Sequence, residues 1–140
     1  MKILFFTLLV LATASAFAGQ RVDVLIGKHE SQSVAFEDKK IDGTDAYYLE
    51  HNTLQKQKIF RAVTKKEFKK VTDEYAKVQT IFKKKGRVIY TEPCGDSATV
   101  TAYQIEQIVC LDGLSKSEKL KFMKWFKDTA DLAVGPKLNK

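Results

Sequence analysis

Cysteine, histidine, proline and arginine are all scarce in this chain of 140 residues, which has two cysteines, two histidines, two prolines and only Arg21, Arg61 and Arg87 as arginines. Each scarcity excludes something. With Cys94 and Cys110 alone there is no C-x-x-C pair and no four-cysteine zinc frame. With His29 and His51 alone there is no H-E-x-x-H helix. The shortage of guanidinium groups argues against a reader of base edges, because planar, bidentate recognition is arginine chemistry. Two prolines and no low-complexity stretch leave no linker between two folding units. Long apolar runs are also missing, apart from one at the start.

That run, Ile3 to Leu11, follows Lys2 and leads to Ala16-Phe17-Ala18. A short positive start, an apolar core and small residues in an A-x-A arrangement make a cleaved signal peptide over residues 1–18. The apolar core is well short of the roughly 20 residues a bilayer span needs. The expected product is therefore periplasmic or secreted, from a bacterium, and begins at Gly19. No cysteine stands immediately after the cleavage point to carry a lipid. Residues 19–140 suffice for a single domain with one core.

The formal charge is +7, and the cations are nearly all lysine. Lysine is a hydrated point charge, suited to solvated faces and to loose attraction toward anionic surfaces. In an oxidising compartment Cys94 and Cys110 are expected to pair, closing a loop of about 15 residues worth on the order of 3 kcal/mol.

Hydrophobic alternation marks strands at Arg21 to Gly27, around Val34 to Phe36, at Ala46 to Glu50 and at Lys58 to Val63. Asp42-Gly43-Thr44-Asp45 is turn chemistry between the second and third. Thr64-Lys65-Lys66-Glu67 is a capping box. It opens a helix whose Phe68, Val71, Tyr75, Val78 and Phe82 recur at spacings of three and four, ending at Gly86. The opposite face carries Lys66, Lys70, Lys77 and Lys84. A solvated face is the simplest account of those lysines, and a binding patch is the functional one.

A strand is expected at Arg87 to Thr91, and extended structure from Ala98 to Cys110. One straight strand would carry Cys110 roughly 35 to 40 Å from the Gly95 turn at about 3.3 Å per residue, whereas a disulfide needs Cα atoms within about 7 Å. Pairing therefore requires a fold-back near Thr101 to Gln104. Ser115-Lys116-Ser117-Glu118 is a second capping box. It starts a helix that Gly135-Pro136 closes, with Phe122, Met123, Phe126, Ala130 and Ala133 on one face. Trp125 and Leu132 fall beside that face. They are the apolar binding candidates, since exposed tryptophans anchor interfaces; the competing reading laps the indole over the sheet edge with its N–H in water. The tail Lys137 to Lys140 is expected to fray.

The fold class is α+β: an antiparallel sheet of about five to seven strands with two amphipathic helices packed on one face. Catalytic patterns are weak. Glu30 and Glu50 adjoin the histidines, but neighbouring strand residues point to opposite faces. Ser97 and Asp96 with a distant His51 lack a G-x-S-x-G elbow, Gly27-Lys28 lacks the rest of a phosphate loop, and the Asp42 to Asp45 turn lacks the length and closing glutamate of a calcium loop. No cofactor or metal is implied. The leading expectation is a non-catalytic, exported protein-interaction or inhibitor-like module, using a sheet edge or the Trp125 and Leu132 stripe. The alternative is a basic binder of anionic envelope components such as lipopolysaccharide or wall polymer. A small hydrolase or metal site around His51 ranks third.

Overall fold

The computed structural model describes residues 20–27, 32–53, 55, 57–84, 94–103 and 105–136, with the side chain of Lys84 excepted. The signal segment 1–18, the expected strand Arg87 to Thr91, the Gly86 stop, His29 with Glu30 and the tail 137–140 lie outside the described residues.

Among the described residues six strands form one antiparallel sheet: β1 (Arg21–Ile26), β2 (Gln32–Ile41), β3 (Thr44–Asn52), β4 (Lys58–Val63), β5 (Ser97–Ala102) and β6 (Ile105–Cys110), in the spatial order β4-β3-β2-β1-β5-β6. Helix α1 (Lys65–Lys84) follows β4, and α2 (Lys116–Val134) follows β6 after a single 3-10 turn at Leu111–Gly113.

The turns dictate the register. Asp42 and Gly43 both have positive φ, 51° and 77°, as a two-residue type I′ turn requires, and Ile41 pairs with Thr44 across it. The expected fold-back occurs at Tyr103 (φ 53°), where Ala102 pairs with Ile105. It brings Cys110 opposite Ser97 and within 5.8 Å, Cα to Cα, of Cys94, and the two cysteines are bonded.

Period-two alternation then sorts the side chains. Val22, Phe36 and Leu49 stand in one cross-strand row, and Val24, Val34 and Val100 in the next; all six are buried beneath the helices. Both helices pack on this one face, with Val71, Tyr75, Val78 and Phe82 from α1 and Phe122, Phe126, Ala130 and Ala133 from α2 entering the same core. Both capping boxes form: Glu67 N–H donates to Thr64 Oγ1 (3.2 Å) and Thr64 N–H to Glu67 Oε2 (2.8 Å), with the same exchange between Ser115 and Glu118.

Arg61 ties the ends of the two helices together. Its Nε donates to the Leu132 carbonyl at 2.8 Å, near the negative end of α2, and Nη2 reaches Glu67 at 3.2 Å in the first turn of α1. Gly135 must stay small here, because its φ is 79° and a Cβ would lie 3.1 Å from Arg61 Cδ.

Candidate functional site

Trp125 is not on the surface. Only 4% of it is exposed, and its indole N–H donates to the Val71 carbonyl of α1 at 3.1 Å. Its ring lies 5.1 Å from Tyr75 and 6.4 Å from Phe36. This corrects both expectations for the indole, the exposed anchor and the sheet-edge position with its N–H in water. The physical reason is that α1 runs beside α2 and closes the flank that a projection of α2 alone leaves open. Leu132 is half-buried against the same core.

The seam between the helices opens into a groove with a cavity of about 360 Å³. Val71, Val78, Trp125 and Leu132 supply its apolar lining, and Lys70, Lys77, Lys121 and Lys124 its cations. Four of the six candidate residues, Trp125, Leu132, Lys70 and Lys77, thus converge on one site. Lys66 is exposed on α1 but does not line the groove, and the Lys84 side chain falls outside the described residues. Lys121 and Lys124, contributed by α2, were not among the candidates; the signal that would have found them is their placement four before and one before Trp125.

Two of the four lysines are already paired along their own helices. Lys77 bonds Glu74 at 2.8 Å and Lys124 bonds Asp128 at 2.6 Å; the latter hydrogen bond, with the Asp128 charge, raises Lys124 above the usual ammonium range. Lys70 and Lys121 have no acidic partner among the described residues. The groove therefore holds two cations in excess over its carboxylates, Glu74 and Asp128. Thr129, 1% exposed, adds a hydroxyl with no hydrogen-bond partner among the described residues.

The other face of the sheet carries a charge network that is internally satisfied. Asp23, Ala35 and Glu50 form one cross-strand row. The Arg21 guanidinium bridges its two carboxylates, with Nη2 2.7 Å from Asp23 and Nη1 3.0 Å from Glu50, and so lies over Ala35, which is 3% exposed. Burial alone would push the Glu50 carboxyl up. The hydrogen bond and charge of Arg21, then the charge of Lys58 at 3.6 Å and a bond from Asn52, outweigh it and hold the group below the usual carboxylate range. A network so fully paired has no vacant group to offer a ligand, and we read it as structural.

The weak catalytic patterns are not assembled. His51 is buried on the helix-facing side of β3 with Nδ1 3.1 Å from the Ser33 carbonyl oxygen, whereas Ser97 lies on the opposite face of the sheet. Among the described residues the one group of three potential metal ligands is Cys94, Cys110 and Asp112, in which both sulfurs are spent on the disulfide. No described helix is long and apolar enough to cross a membrane. No protein-family model, curated protein or solved structure matches the chain.

Proposed function

We propose that this is an exported, non-catalytic binding domain whose α1/α2 groove takes a phosphorylated, amphipathic glycolipid of the cell envelope. The observation that carries the reading is the convergence of Lys70, Lys77, Lys121 and Lys124 around a floor of Val71, Val78, Trp125 and Leu132. Phosphate groups fit hydrated ammonium ions, and the apolar floor gives acyl or ring carbons a place to leave water. Export rests on the signal pattern of residues 1–18, and the Cys94–Cys110 bond is compatible with an oxidising destination. The burial of Trp125 removes the exposed anchor that a protein-docking stripe needed, which moves the anion-binding alternative ahead.

The protein-interaction reading keeps one specific support. The outer strands β4 and β6 expose Phe60 (51%) and Ile105 (70%), and an outer strand offers unpaired backbone groups to an added strand.

The test is the binding of purified protein to lipopolysaccharide and to its dephosphorylated form, at about 0.05 M and about 0.5 M salt, where screening lengths differ severalfold. Phosphate-dependent binding that weakens at the higher salt and falls in Lys70→Gln/Lys121→Gln supports the proposal. Equal binding of both forms, or no effect of the two substitutions, overturns it.

A further inference from the structure

A second cavity, of about 450 Å³, lies between α1 and the β1–β2–β5 part of the sheet. Its floor is aromatic, with Phe36 edge-on to Phe68 (6.1 Å) and to Tyr75 (5.1 Å). The chain carries 24 lysines and arginines against 17 acids, yet none of those cations lines this space among the described residues. Its charged lining groups are Asp38 and Asp73.

Neither carboxylate is fully used. Asp38 is half-buried, makes no ion pair among the described residues, and accepts the Gln20 amide through Oδ1 at 3.0 Å, which leaves Oδ2 uncommitted. Asp73 pairs with Lys69 through Oδ2 alone. Tyr75 is 8% exposed, and its hydroxyl has no hydrogen-bond partner among the described residues. Tyr75 is also among the residues that line the cavity. Burial pushes the phenol up to about 12, so it stays neutral and can both donate and accept.

Asp38 Oδ2 and the Tyr75 hydroxyl, neither of which has a partner among the described residues, can each bond a polar ligand atom of the right charge. Aromatic faces add attraction for a cation within about 6 Å of a ring centroid. The volume is that of a small-molecule site. The positive charge of the whole protein does not prevent this, because it is screened beyond about 8 Å at physiological ionic strength, and contact-range carboxylates decide.

We propose that this cavity binds a small organic cation, an ammonium group on an apolar body, with the body against Phe36, Phe68 and Tyr75 and the charge at Asp38. The proposal does not rest on the lysine groove and shares no lining residue with it.

Trp125, the single tryptophan, lies 5.1 Å from Tyr75 and reports occupancy by its fluorescence. Three probes of one shape and different charge are titrated into the purified protein by fluorescence and calorimetry: phenethylammonium, phenethyl alcohol and 3-phenylpropanoate. The expected result is saturable binding of the ammonium, about tenfold or more tighter than the alcohol, as a desolvated cation–aromatic contact with a carboxylate implies. The anion should bind least. Asp38→Asn should bring ammonium and alcohol within about threefold of each other, the residue of an aromatic contact alone. Tyr75→Phe, which keeps the ring, should weaken the ammonium severalfold with the fold intact by circular dichroism. Equal affinity for all three probes, no saturation by any of them up to about 10 mM, a range covering even very weak sites, or indifference to Asp38→Asn would each overturn the proposal.

Discussion

Replacing Arg21 by alanine should destabilise the protein in a way that depends on pH with a reversed sign. The Glu50 side chain is 5% exposed and takes its strongest bond from Arg21, at 3.0 Å. Removing one partner of a fully buried ion pair costs about 3 to 5 kcal/mol. Here Arg21 itself is 35% exposed, and Lys58 and Asn52 remain beside Glu50, so solvent screening and the surviving bonds reduce the expected loss to about 2 kcal/mol. For a domain of this size that is a fall in Tm of about 8 °C. In the wild type the lowered Glu50 pKa means that its stabilisation is present above the ordinary value of 4.5 and is lost as pH falls through the folded value. In Arg21→Ala burial dominates and lifts the carboxyl above its ordinary value. The ionised group then costs stability at pH 7, and the folded state recovers as the group takes up a proton. The gap between wild type and variant should narrow as pH falls from about 7 to about 4. Thermal unfolding followed by circular dichroism at both pH values measures it, and Arg21→Ala/Glu50→Gln, which removes the orphaned charge, should restore about half the loss at pH 7. A penalty equal at both pH values, or a double variant as unstable as the sum of the single ones, would show that Arg21 does not neutralise a buried Glu50.

Two further outcomes follow from the core. Trp125→Phe should cost about 1 kcal/mol, since the Val71 carbonyl keeps its helical partner when the indole N–H is gone, while Trp125→Ala should cost about 3 to 5 kcal/mol through the cavity it leaves; urea midpoints distinguish the two, and similar midpoints would contradict the burial of the indole. Removing the bridge with Cys94→Ala/Cys110→Ala, or by reductant on the wild type, should lower stability by about 3 kcal/mol, and coincident urea curves for oxidised and reduced protein would show that the bond contributes nothing.

The face of the sheet away from the helices illustrates why charge is hard to read from a chain. Arg21, Asp23 and Glu50 look like three scattered surface charges, two of them in one strand and the third 29 residues away from Arg21. Pairing β1 with β2 and β2 with β3 places Ala35 between the two acids, and its small side chain leaves the guanidinium room to span them. The same limit applies to Asp38, which alternation puts on the helix-facing side of β2 beside Phe36, but whose other aromatic neighbours across the cavity, Phe68 and Tyr75, come from α1.

Local physics alone determined much of this protein. Period-two alternation in β1, spacings of three and four in α1, two capping boxes and the Asp42-Gly43 turn each act over a few residues, so they are legible without neighbours. The fold-back at Tyr103 was legible too, because bonding Cys94 to Cys110 is impossible along a straight strand. Which face of each element another element covers was settled by packing between distant parts of the chain. Trp125 looks peripheral on its own helix and is buried because Val71, 54 residues earlier, lies across it. The lysine groove and the aromatic cavity both exist only where α1 meets a surface remote in the chain, and no local pattern encodes the identity of that surface.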